Sequence, residues 1–174
     1  MRITKINPRY EHWRSFIGSV PDIFEQEGKE IYNKRNLIKV LTAPDGTAVN
    51  VKRYHVPHGP NRLVYSWGIR KPKCQRAFDY PMILKNKGIE TPEPIAIIEE
   101  RSWLGLLGYS YLITMQGDYG HTLDEVGDAK AGTYETLAKA LAHFAAKIHN
   151  GNVLHKDFTP GNVLWKQDDE GFHF

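Results

Sequence analysis

The stretch His155-Lys156-Asp157-Phe158-Thr159-Pro160-Gly161-Asn162-Val163-Leu164 stands near the end of the chain, after an apolar-periodic segment and before a β-branched, apolar one. It reads as a short loop carrying an acid, Asp157, and an amide, Asn162. Pro160-Gly161-Asn162 is strong turn chemistry by itself, so a plain polar helix-to-strand turn is the competing reading. The segments on either side decide between the two.

Upstream, Leu137, Leu141, Phe144, Ala145 and Ile148 form one stripe at helical spacing, which predicts a helix over Thr133–Asn150, stopped at Gly151 with Asn150 as a possible cap. Downstream, Val163–Trp165 predicts a strand, Gln167–Gly171 a turn, and Phe172–Phe174 the start of another strand. Further upstream, Gln116-Gly117-Asp118-Tyr119-Gly120 is the best candidate for a hinge, so residues 1–116 and 117–174 are expected to form two parts. Ile95–Glu99 and Tyr109–Met115 are expected to pair as a hairpin.

Residues 1–27 read as an amphipathic lead-in helix with Trp13, Phe16, Ile17 and Val20 on one face, and Pro21 opens a second short turn. Residues 29–56 read as three antiparallel strands with a turn at Pro44-Asp45-Gly46. In the third, Val49, Val51 and Arg53 alternate with Asn50, Lys52 and Tyr54, so Lys52 projects from the face opposite the valines. Lys34 and Arg35 sit in the turn between the first two strands. Residues 72–87 predict a helix with Ala77, Phe78, Met82 and Ile83 on its apolar face and Pro81 as a kink.

Composition narrows the class. The 174 residues suit one domain or two small lobes, and 41% hydrophobic residues suffice for a core. A single cysteine, Cys74, excludes an internal disulfide and a cysteine-rich zinc site, and fits a reducing compartment. Met1–Lys5 does not lead into the apolar run of a signal peptide. Trp103–Met115 is too short to cross a bilayer and is broken by Gly105, Gly108 and Ser110, so it reads better as two strands of a hairpin. A formal charge of +3 does not call for a nucleic-acid partner. Between Asp45 and Asp79 there is no acidic residue, whereas Lys52, Arg53, Arg62, Arg70, Lys71, Lys73 and Arg76 interleave with Leu63, Tyr65, Trp67 and Ile69. Such a span is either a solvated face or a surface that meets anionic lipid head groups.

The loop has the spacing H-x-D-x-x-x-x-N of a kinase catalytic loop, and the order of elements resembles the protein-kinase-like fold. More narrowly, the chain is similar to the bacterial lipopolysaccharide kinase family, the Kdo and heptose kinases, through Tyr32–Lys39, Val51–Tyr54, Lys73–Phe78, Gly88–Ile95 and Ile148–Leu164. The resemblance implies an α+β fold: a small lobe with a five-stranded antiparallel sheet plus one main helix, then the start of a helical large lobe. It implies transfer of a phosphate from ATP, with Mg²⁺, to a sugar hydroxyl of the lipopolysaccharide inner core. The setting it implies is cytoplasmic and peripheral at the inner membrane.

Carried over by position, Asp157 resembles the catalytic base, Asn162 a Mg²⁺ ligand and Lys52 the lysine on the ATP phosphates. Asp79 falls where a glutamate usually holds that lysine, and Met115 and Gly117 fall among the cofactor contacts beside the hinge. His155 is expected to brace the loop by hydrogen bonds. Two features depart from the pattern. The turn at Asn33–Asn36 lacks the glycine-rich phosphate loop, leaving Lys34 and Arg35 to meet phosphates as charges. The D-F-G aspartate is expected past the strand that begins at Phe172, beyond the last residue of the sequence. Two alternatives therefore stand beside a lipopolysaccharide kinase: a kinase-like binding module without transfer activity, and a small-molecule kinase of the aminoglycoside or choline type. Thr159, where Ser/Thr protein kinases carry a lysine, supports a non-protein acceptor.

Overall fold

The computed structural model describes residues 1–33 and 36–174. The expectation for Lys34 and Arg35 lies outside the described residues. The chain forms two compact units, Met1–Gln116 and Gly117–Phe174.

Unit one is built on β1 (Arg2–Ile6), α1 (Arg14–Ile23), β2 (Lys29–Asn33), β3 (Leu37–Thr42), β4 (Ala48–Tyr54), α2 (Pro60–Ser66), α3 (Lys73–Lys85), β5 (Pro94–Arg101) and β6 (Leu107–Met115). Its sheet has six antiparallel strands in the order β1-β5-β6-β4-β3-β2. The expected sheet of five strands therefore gains an edge strand, β1, which pairs Arg2 with Glu100 through to Ile6 with Ala96.

The two faces of the sheet follow the period-2 alternation of its strands. On one, Val49 and Val51 of β4 meet Trp13, Ile17, Val20 and Phe24, with Leu41, Ile95, Ile98, Tyr111 and Ile113 completing the core. The spacing of those four α1-side residues lines one helical face. Pro21 lies inside α1 and opens no separate turn. On the other face, Cys74 and Phe78 of α3 pack on Ile97 and Leu112, with Tyr54 and Ala77 at the margin. Met82 and Ile83, expected on this face, are exposed. Trp103 and Leu104 are exposed as well, at the turn between β5 and β6 and not in a strand.

Lys39 sits at a core-facing position of β3 and is buried. Its ammonium donates to the backbone carbonyls of Phe24 at 2.7 Å, Glu25 at 3.2 Å and Glu27 at 3.2 Å, which are carbonyls freed where α1 ends.

Burial pushes the Cys74 thiol up to about 12. Iodoacetamide at pH 8 should therefore leave Cys74 unmodified in the folded protein, at least roughly a hundred-fold slower than in denaturant, because the thiolate is the nucleophile. Intact mass against time reads this directly, and equal rates would place Cys74 at the surface.

Unit two contains β7 (His121–Thr122), α4 (Glu135–Asn150), β8 (Leu164–Asp168) and β9 (Gly171–His173), with strand order β7-β8-β9. Its core is Leu123, Leu137, Val163 and Trp165, with Leu141, Phe172 and Phe174 packed against it. Phe144 of α4 stacks on Phe174 with ring centroids 5.2 Å apart. α4 ends through Gly151 at φ −74°, and Asn152 takes the positive φ of 54° that turns the chain away.

Candidate active site

The loop after α4 is shaped by one side chain. Asn162 Nδ2 donates to the carbonyl of Asp157 at 3.0 Å and to Thr159 Oγ1 at 2.9 Å, and the Asn162 amide donates to the Thr159 carbonyl at 2.9 Å. These bonds close the turn at Pro160–Asn162 and hold the acid and the amide on a single loop. Both side-chain bonds use the amide nitrogen. The amide oxygen, a hard donor of the kind Mg²⁺ takes, is not spent on them, so the residue fits a metal ligand. Asp157 is exposed and its side chain takes no part in the tie. Among the described residues no cluster of three His, Cys, Asp or Glu is assembled for a metal.

What anchors the loop lies downstream. Val163 and Trp165 are buried, and the Trp165 indole donates to the Thr122 carbonyl at 3.2 Å. The His121 ring stacks on Trp165 at 4.7 Å between centroids. Leu154 and Phe158, which bracket Asp157 with apolar side chains, are exposed. His155 meets Phe158 edge-on at 5.8 Å, a ring contact in place of the expected bracing hydrogen bonds.

Asp124 was not singled out in the sequence, yet the structure sets it against the loop. A Cβ at Gly161 would come 2.6 Å from Asp124 Oδ2, so a larger residue there would push the exposed Asp124 carboxylate aside. The available signal was Thr122-Leu123-Asp124-Glu125, a capping box in which the Glu125 carboxylate accepts from the Thr122 amide at 2.9 Å and lies 2.8 Å from His121 Nδ1.

Within unit one, Lys52 lies on the α3 face of β4, half-buried, with Nζ 5.3 Å from the Tyr54 ring centroid. Asp79 does not hold it. The Asp79 carboxylate pairs with Lys5 at 2.8 Å and Lys71 at 3.3 Å, and the Lys5 hydrogen bond leads the effects that hold this carboxyl below the usual carboxylate range. The reason is the strand missed in the sequence. The register places Lys52, Leu112, Ile97 and Lys5 in one row across β4, β6, β5 and β1. Three strand spacings, about 14 Å, separate the two lysines along that row, and α3 delivers Asp79 to the β1 end. Met115 closes β6, half-buried against the core beneath α1. Gly117 begins unit two, and a Cβ there would meet the Tyr119 ring at 3.2 Å.

Among solved structures, the chain is similar to WaaP in complex with acyl carrier protein, with TM-score 0.55 and 17% identity over 99% of this chain and 68% of that one. It also matches a MAP kinase of Leishmania major, LmaMPK10, with TM-score 0.48 and 15% identity over 91% of this chain and 48% of that one. No curated protein matches the sequence. The first likeness shows a protein-kinase-like fold. The sequence over residues 26–174 matches the lipopolysaccharide kinase (Kdo/WaaP) family, and the chain belongs to that family.

Proposed function

We propose that this lipopolysaccharide-family kinase carries its chemistry on Asp157, Asn162 and Lys52 and phosphorylates a sugar hydroxyl of the lipopolysaccharide inner core. The observation that carries the reading is the Asn162 tie, which presents the Asp157 carboxylate to solvent from a turn fixed at both ends. Asp157 accepts the proton of the acceptor hydroxyl and orients its oxygen toward the phosphate. Lys52 meets the ATP phosphates as a point charge. Asn162 would offer its side-chain oxygen to a bound Mg²⁺, which would supply charge neutralisation on the phosphate oxygens. The acid-free span of unit one supports work at an anionic membrane surface, the cytoplasmic face of the inner membrane, where such an acceptor is anchored.

Calorimetry of the full-length protein with ATP and Mg²⁺ tests the assignment. Lys52→Ala should weaken ATP binding by roughly tenfold or more, the loss of a charge-assisted contact. Asn162→Ala should weaken the Mg²⁺ dependence of that binding. Unchanged affinities in both variants would remove these residues from the site.

A further inference from the structure

Unit one exposes two large apolar turns that lie side by side. Trp67 and Ile69 follow α2 and are 68% and 71% exposed, while Trp103 and Leu104 at the β5–β6 turn are 91% and 61% exposed. One atom joins the turns: Arg101 Nη1 donates to the Ser66 carbonyl at 3.1 Å and to the Gly105 carbonyl at 3.0 Å. Ser66 Oγ accepts from the Leu107 amide at 2.8 Å, and Arg62 Nε donates to the Leu107 carbonyl at 2.8 Å, a second pair of ties between the same segments. Arg101 is itself held by Glu99, which is 1% exposed, at 2.7 Å. The four apolar side chains therefore stand on two segments cross-linked by hydrogen bonds.

We propose that Trp67, Ile69, Trp103 and Leu104 form a knob that enters the interfacial layer of an anionic bilayer. This deepens the membrane-surface reading above and rests on it. Charge around the knob selects the occupant. Arg70, Lys71 and Lys73 are exposed beside it, within the stretch that has no acidic residue between Asp45 and Asp79. Lys71 is engaged with Asp79, and Arg76 is tucked in with its Nε buried, so Arg70 and Lys73 are the charges that reach head groups. A tryptophan pair over a basic rim matches the head-group boundary, where indole buries its ring and keeps its N–H wet. A second copy of the chain would bring an equally basic rim, which like-charge repulsion opposes.

The knob carries its own probe. Two of the four tryptophans, Trp13 and Trp165, are buried at 5% and 9% exposure, so Trp67 and Trp103 dominate any fluorescence response to lipid. The full-length protein is mixed with phosphatidylglycerol-containing vesicles or with pure phosphatidylcholine vesicles. Binding to the anionic vesicles, a blue-shifted emission and quenching by lipids brominated on the acyl chain are expected. Trp67→Ser with Trp103→Ser should lower partitioning by roughly tenfold or more, with the melting temperature and ATP affinity of the parent. Arg70→Glu with Lys73→Glu should remove the preference for anionic lipid. The proposal fails if wild-type protein binds anionic vesicles without quenching, since the apolar turns then stay in water. Equal binding to both vesicle types, or to neither, overturns it too. Self-association that the tryptophan substitutions abolish would assign the knob to a second copy. Because wild-type quenching needs no variant, misfolding of the substituted proteins does not shield the idea. ATP affinity of the parent, read in the same samples, separates failure of the kinase reading from failure of the knob.

Discussion

Asp157→Asn in the full-length enzyme is expected to lower turnover on lipopolysaccharide-derived sugar acceptors by roughly 10²–10⁴-fold, the range of general-base catalysis, while the melting temperature stays within a degree or two of the parent. The argument is geometric. The loop is tied through the Asp157 carbonyl, not its carboxylate, and the amide of asparagine preserves the side-chain shape. The exposed carboxylate makes no contact on which the core depends, because the core at this point is Val163 and Trp165. In the proposed mechanism the substitution removes the proton acceptor that orients the attacking hydroxyl. Since the transition state is loose, orientation is much of what protein groups contribute. Steady-state kinetics beside a thermal melt separates the outcomes. Loss of folding would make Asp157 a turn element, and undiminished turnover would refute the mechanism.

The largest stability effect is expected at Glu99. Its carboxylate accepts from Arg101 Nη2 at 2.7 Å, Arg101 Nε at 3.2 Å and Gln75 Nε2 at 2.8 Å, and the Cys74 thiol lies 3.6 Å away. Glu99→Ala strands the Arg101 guanidinium, 13% exposed, without its counter-charge. Breaking a buried pair from one side costs about 3–5 kcal/mol, which in a unit of this size lowers the melting temperature by roughly 10–20 °C. Glu99→Gln keeps the shape and part of the hydrogen bonding, so its loss should be smaller. Denaturant melts of both variants give the comparison. A loss under about 1 kcal/mol for Glu99→Ala, the value of an exposed pair, would mean that the pair is solvated.

The parts of this molecule that were legible in its sequence are those in which hydropathy repeats. The α4 stripe, the alternation of β4 and the apolar runs of β3, β5 and β6 each carry a period that burial enforces. The turn after α4 was legible because Pro160-Gly161-Asn162 is turn chemistry by itself. β1 was illegible for a physical reason: Arg2–Lys5 are exposed along an edge strand, so no apolar face marks them. Missing β1 also misplaced Asp79, whose partner Lys5 lies on it. Lys39 is a cation within an apolar run, and only the end of α1 reveals what it is buried against. Trp103 and Leu104 read as strand because hydropathy assigns large apolar residues to a core, and nothing in the sequence says that this pair faces water.

The strand order has a consequence during synthesis. α1 emerges from the ribosome early, but half of the core that receives its apolar stripe comes from β5 and β6, Ile95, Ala96, Ile98, Tyr111 and Ile113. At about 5–20 residues per second, Ile17, Val20 and Phe24 wait on the order of several seconds for those strands. β1 waits as long for β5, its neighbour in the sheet. Through that interval the nascent chain offers an unpaired strand and a greasy helix to whatever chaperone stands at the tunnel exit, and unit one closes only when its last strand, β6, has been made.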